Sequence, residues 1–188
     1  MTRAETGPNS EAVIEARPRG GGRTLLDLTG IDLSATHADR EAVGELNPHR
    51  HEMALLDRVV WVSEDLTASV GVHRAEPDAF WVRGHFPEKA LMPGVLQVEA
   101  GAQLACYQWN IRQDRPKVAA FLRIDDCAFR RSVEPGQDLF LLSKEVKYGR
   151  RRFVTELQGV LRPGEADEEV AFEARITGMA IGNKGEGF

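Results

Sequence analysis

At 188 residues, 42% hydrophobic and 28% charged, the chain has the make-up of one ordinary globular domain with some length to spare. A formal charge of -5, with basic residues scattered rather than striped, argues against a nucleic-acid partner. No apolar run approaches the length of a membrane span, and residues 1–15 hold no apolar stretch of the secretory kind, so a cytoplasmic location is expected. Cys106 and Cys127 stand in apolar surroundings without metal-ligand spacing and are expected as buried, reduced thiols.

Residues 1–23 are rich in Gly, Pro, Arg and Glu and read as a mobile tail. Leu25, Leu26, Leu28, Ile31 and Leu33 follow, apolar enough to pack loosely on the domain. Residues 1–38 are therefore taken as an N-terminal extension, partly disordered, and 39–188 as the domain. A short helix is expected over 39–45, ending before Asn47-Pro48. Strands are expected over 54–62 and 67–74, separated by the turn Ser63-Glu64-Asp65. The connection over 75–92 is long for a compact domain, and such loops are more often functional than idle.

The spacing predicts one long helix over 93–112, with Pro93 in its first turn. Its apolar residues spread around most of the circumference, so it must be buried nearly all round. Four more strands are expected, over 117–129, 138–148, 152–161 and 170–181. Turns at Glu134-Pro135-Gly136, Gly149 and Pro163-Gly164 separate them. Alternation such as Val170, Phe172, Ala174 and Ile176 against Glu173, Arg175 and Thr177 marks half-buried antiparallel strands. About six strands and one long helix make an α+β fold, a curved antiparallel sheet wrapped around the central helix. One helix leaves a sheet edge unpaired, which predicts dimerisation.

Residues 84–103 gather the candidate chemistry. His85 stands in a loop, a helix N-terminus follows at Pro93-Gly94, and Glu99 is a lone carboxyl on an apolar helix. The segment thus holds a candidate base, an anion-favouring helix end and a candidate acid. His49, Arg50 and Asp57 read as structural, His37, His51 and His73 belong to no constellation, and no metal site is expected. The run Arg150-Arg151-Arg152 reads as a solvated hairpin turn.

The segment from about Asp39 to Ile181 resembles the hotdog-fold β-hydroxyacyl-acyl-carrier-protein dehydratases of the FabZ type. The likeness is carried, in order, by Asn47-Pro48-His49-Arg50, Leu56-Asp57-Arg58-Val59, Gly84-His85-Phe86-Pro87 and Pro93-Gly94-Val95-Leu96. It continues through Glu99-Ala100-Gly101-Ala102-Gln103, Ile124-Asp125, Phe129-Arg130 and Val133-Glu134-Pro135-Gly136. The chain departs from the family at His51-Glu52, Glu88-Lys89-Ala90 and Ala120-Phe121.

The resemblance implies removal of water from a (3R)-3-hydroxyacyl thioester to give a trans-2-enoyl thioester, in fatty acid or related lipid or polyketide synthesis. His85 would be the base, since an imidazole with a pKa of about 6.5 is mostly neutral at pH 7. Backbone N–H groups of Gly94 and Val95 would hold the thioester oxygen as it gains charge. Glu99, buried without a cation, would keep its proton and act as the acid. Gln103, one turn on, would orient Glu99, and Phe86 and Pro93 would support the site. Glu99 lies about 9 Å up the helix from Pro93. The resemblance further implies that His85 of one subunit works with Glu99 of the other in a homodimer, with a trimer of dimers as a larger form. The expected partner is an acyl carrier protein, or coenzyme A in its place, and no cofactor is expected. Arg112, Arg115, Lys117, Arg130 and Arg131 are the basic candidates for docking the carrier. A hotdog thioesterase, an isomerising dehydratase and a non-catalytic acyl-binding protein are the alternatives.

Overall fold

In a computed structural model of the chain, the structure describes residues 24–186, and the tail expected over 1–23 lies outside them. A short helix α1 (Arg40–Leu46) opens the domain, capped by the side chain of Asp39. Strands β1 (Arg58–Val62) and β2 (Ala68–Arg74) form a hairpin. The long helix α2 (Gly94–Asn110) follows, then β3 (Lys117–Phe129), β4 (Asp138–Lys147), β5 (Arg152–Leu161) and β6 (Glu169–Asn183). All six strands join one antiparallel sheet in the order β1-β2-β4-β5-β6-β3.

The sheet wraps α2, as the pattern required. Leu139, Leu141, Phe153, Leu157, Phe172 and Ile176 point inward and bury against Val98, Leu104, Ala105 and Trp109 of the helix. Gly101 sits where helix and sheet come closest. A Cβ there would lie 3.1 Å from the Phe172 ring and 3.2 Å from Leu157. The burial of α2 is so complete that Gln97, Gln103, Gln108 and Asn110 are also inside. Most of their amide groups are matched by loop backbone. Asn110 exchanges two hydrogen bonds with Lys117 and donates to Leu46 O, and Gln108 links Ser69 Oγ and Leu66 O. These polar side chains fasten the connections at both ends of the helix.

Part of the outer face of the sheet, over β1, β2, β4 and β5, is covered as well. Val60, Val70, Val72, Leu142 and Val160 form a second apolar cluster, against which Leu25, Leu26, Leu28, Ile31 and Leu33 pack. Leu25 N donates to Gln158 Oε1 at 2.7 Å, so this segment is bonded to β5 as well as laid over it.

Some expectations need correction. The first strand starts at Arg58 rather than at residue 54. The intervening chain makes a 3-10 turn (His51–Met53), and Leu55 and Leu56 give their N–H groups to the Gln103 side chain instead of to a neighbouring strand. Cys106 is buried, but Cys127 is exposed, because β3 lies at the sheet's edge and presents that side outward.

Candidate active site

Residues 75–92 are anchored at both ends. Ala75 N donates to Gln137 O, and Met92 N donates to Val133 O. Between them Trp81 is buried, and its carbonyl accepts from His85 N at 2.9 Å. The half-buried His85 ring stacks on Phe86, with centroids 4.1 Å apart. Its Nδ1 lies 2.8 Å from Leu91 O. A carbonyl can only accept, so Nδ1 carries the proton and Nε2 is left with a lone pair. A histidine in that tautomer is ready to take a proton at Nε2.

Helix α2 begins a few residues on, and Pro93 caps it without any side-chain hydrogen bond. Pro93 O accepts from Leu96 N and Gln97 N, which leaves the N–H groups of Gly94 and Val95 without acceptors among the described residues. They are the leading donors of a 17-residue helix, where the dipole favours negative charge. Gly94 is required for space, because a Cβ would lie 2.8 Å from the Phe129 ring.

Glu99 is on the next turns of α2, its side chain only 19% exposed. Gln103 Nε2 donates to Glu99 Oε1 at 2.9 Å, the orienting contact expected of it. Gln103 itself has no freedom. Its Oε1 accepts from Leu55 N and Leu56 N, and its second Nε2 proton goes to Met53 O at 2.8 Å.

The setting of Glu99 differs from the expectation of a carboxyl without a basic neighbour. His49 Nε2 stands 3.3 Å from Glu99 Oε1. The burial of His49 holds its pKa below the ordinary imidazole range, with Arg50 pushing the same way and Glu99 opposing. The ring is therefore biased toward its neutral form. His49 read as structural in the sequence; the available signal was its place in Asn47-Pro48-His49-Arg50, a polar run able to reach the buried amides of α2. Asn47 does so, donating to Gln103 O at 2.8 Å.

His49 and Glu99 open onto a cavity of ≈ 40 Å³ between α2, β3, β5 and β6, lined also by Ala102, Cys106, Phe121 and Phe153. Burial pushes the Cys106 thiol up to about 12, so it is an inert wall. His85 is not among the lining residues. The helix end with its histidine and the cavity with Glu99 are read as two candidate half-sites.

The basic docking candidates are all engaged within the chain. Arg112 is paired with Glu145 and lies 3.9 Å over the Tyr148 ring, its side chain 18% exposed, which removes it as a docking group. Arg130 pairs with Glu173, Arg131 with Glu169, Arg115 with Glu186 at 4.0 Å, and Lys117 donates to Arg150 O. Among the described residues no cluster of His, Cys, Asp and Glu has the arrangement of a metal site, and no helix is long and apolar enough to cross a membrane.

The FabA-like domain model matches residues 47–175. FabZ 3-hydroxyacyl-[acyl-carrier-protein] dehydratases of Bacillus thuringiensis (strain Al Hakam) and Bacillus mycoides (strain KBAB4) are each 39% identical over 151 residues, which is 78% of this chain and 97% of theirs. Among solved structures, a chain of the dehydratase heterocomplex ApeI:P from Xenorhabdus doucetiae superposes with a TM-score of 0.59 at 17% identity, covering 73% of this chain and 90% of that one. A mutant of thioesterase PA1618 from Pseudomonas aeruginosa gives 0.57 at 14% identity, over 80% and 99%. The two structures share the hotdog fold and, at these identities, nothing finer. By the domain match and the FabZ relatives together, the chain belongs to the FabA-like family.

Proposed function

We propose that the chain is a 3-hydroxyacyl-[acyl-carrier-protein] dehydratase of the FabZ kind, removing water from a (3R)-3-hydroxyacyl thioester to leave the trans-2-enoyl thioester. The observation that carries the reading is the His85 tautomer: Nδ1–H is committed to Leu91 O, and Nε2 is free as a base. In the reaction Nε2 takes the proton from the α-carbon. The electron pair moves toward the thioester carbonyl, whose oxygen gains charge and is met by the N–H groups of Gly94 and Val95. The pair then forms the carbon–carbon double bond as the β-hydroxyl leaves. Glu99 gives that hydroxyl a proton, so the products are enoyl thioester and water. A proton returned from His85 to Glu99 resets the site.

Two points support a homodimer as the working unit. His85 does not line the cavity at Glu99, so a second copy is the natural source of the missing half-site. The edge strand β3 is 13 residues long and leaves Phe121, Leu122, Ile124 and Phe129 about half exposed. Such an edge invites a matching strand. The acyl carrier, a protein or coenzyme A, is the remaining partner, and a soluble carrier fits a cytoplasmic setting.

The test is direct. Purified protein is mixed with a 3-hydroxybutyryl thioester, and absorbance of the conjugated enoyl product is followed while free thiol is titrated. Enoyl product without thiol release is expected. Thiol release without enoyl product would make the protein a thioesterase, and neither signal would make it a binding protein.

A further inference from the structure

We propose that His49 is a positioning residue for Glu99, one that turns Oε1 inward and leaves Oε2 to meet the substrate. The inference rests on the reading of Glu99 as the acid.

Glu99 Oε1 accepts from Gln103 Nε2 at 2.9 Å and has His49 Nε2 at 3.3 Å. Two nitrogens from segments about 50 residues apart in the chain therefore converge on one oxygen, whereas no donor among the described residues reaches Oε2. The His49 contact is a close approach and not a formed hydrogen bond in this structure, and catalytic contacts are often loosely aligned before substrate arrives. His49 Nδ1 is buried without a partner. A buried N–H without an acceptor is rarer and costlier than an idle lone pair, which puts the ring proton on Nε2, the nitrogen nearer Oε1. That leaves Oε2 as the oxygen no described donor reaches, and so the one available to a substrate.

The segment bearing His49 is pinned. Arg50 Nη1 donates to His49 O at 2.7 Å and Asn47 O at 2.9 Å, and its Nη2 donates to Gly44 O at 2.9 Å. The charged and titratable groups around the ring are Glu99 on α2, Arg50 on its own segment, and the neutral Cys106 thiol of the shared cavity. A neutral donor orients the carboxyl without adding charge. An imidazolium in its place would hold Glu99 as the carboxylate and withhold the proton from the departing hydroxyl.

The experiment measures kcat and KM for enoyl formation with His49→Phe, which keeps the ring without a donor, and His49→Gln, which restores one. Both are also made in a Glu99→Gln background, and melting curves confirm folding. His49→Phe is expected to lower kcat about 10²-fold, the cost of a misplaced catalytic group. KM should stay within about twofold, since the interaction is felt only beyond the ground state. His49→Gln should recover most of the loss. With Glu99→Gln already present, His49→Phe should change the residual rate less than about twofold, because the two groups act as one.

Wild-type kcat in His49→Phe, equal losses in the Phe and Gln variants, or an undiminished loss in the Glu99→Gln background would each overturn the inference and leave Glu99 in its role. A Glu99→Gln protein with wild-type turnover would remove the role of Glu99 and this inference together. His49→Asn, with an amide too short to reach Glu99, takes the place of the Phe variant if that one does not fold.

Discussion

The carbonyl of Leu91 decides what His85 can do. By binding Nδ1–H at 2.8 Å it fixes the tautomer, and Leu91 N returns a hydrogen bond of the same length to His85 O. His85→Gln keeps a polar side chain and loses the proposed base, so kcat should fall about 10³-fold, measured by single-turnover enoyl formation. Gln103 carries a different load. Gln103→Leu would leave the buried N–H groups of Leu55 and Leu56 without partners, and equilibrium denaturation should record a loss of about 3 kcal/mol. The sign of the His49 effect on stability follows from its lowered pKa. The unfolded chain takes up a proton near 6.5, the folded one only at lower pH, so acidification below about 6.5 favours unfolding. His49→Phe removes that contribution, and its melting temperature should fall less than that of the wild type between pH 7 and about 5.5. His85, Gly94, Glu99 and Gln103 could be grouped as a candidate site because they sit within 19 consecutive residues whose pattern alone announces a loop and a helix start. His49 was not, since its meaning depends on a carboxyl 50 positions away, and linear spacing carries no such distance.

At the scale of elements, periodicity was a good guide wherever backbone pairing followed side-chain alternation. β3 and β5 begin and end at the expected residues. The expectation failed at Leu55 and Leu56, whose apolar side chains are buried as a strand's would be, while their N–H groups serve Gln103. Side-chain pattern reports burial and is blind to that choice of acceptor. α2 is the element least tolerant of change, being enclosed on nearly every side. Gly101→Val would press into Phe172 and Leu157 and force helix and sheet apart. A loss of about 1–3 kcal/mol is expected by chemical denaturation, as for other overpacked cores.

For the whole molecule, the two sheet edges are not alike. β1 is partly covered: Ala38 and Val59 exchange backbone hydrogen bonds, and the segment carrying Leu25 to Leu33 closes the outer face beside it. β3 has no such cover within the described chain. Ile124→Lys should therefore shift the protein toward a monomer in sedimentation velocity and reduce turnover with it. This asymmetry could not be read from the sequence, in which nothing in either edge strand says what will lie beside it. The central claim is that His85 and Glu99 together eliminate water, each supplied by a different copy. Its most direct measurement is enoyl formation by a reassociated mixture of His85→Ala and Glu99→Gln proteins, each left with only a small residual rate by itself. Random pairing of subunits should restore about a quarter of the wild-type rate, since half the dimers regain one complete site; a mixture as inactive as its parents would contradict the account.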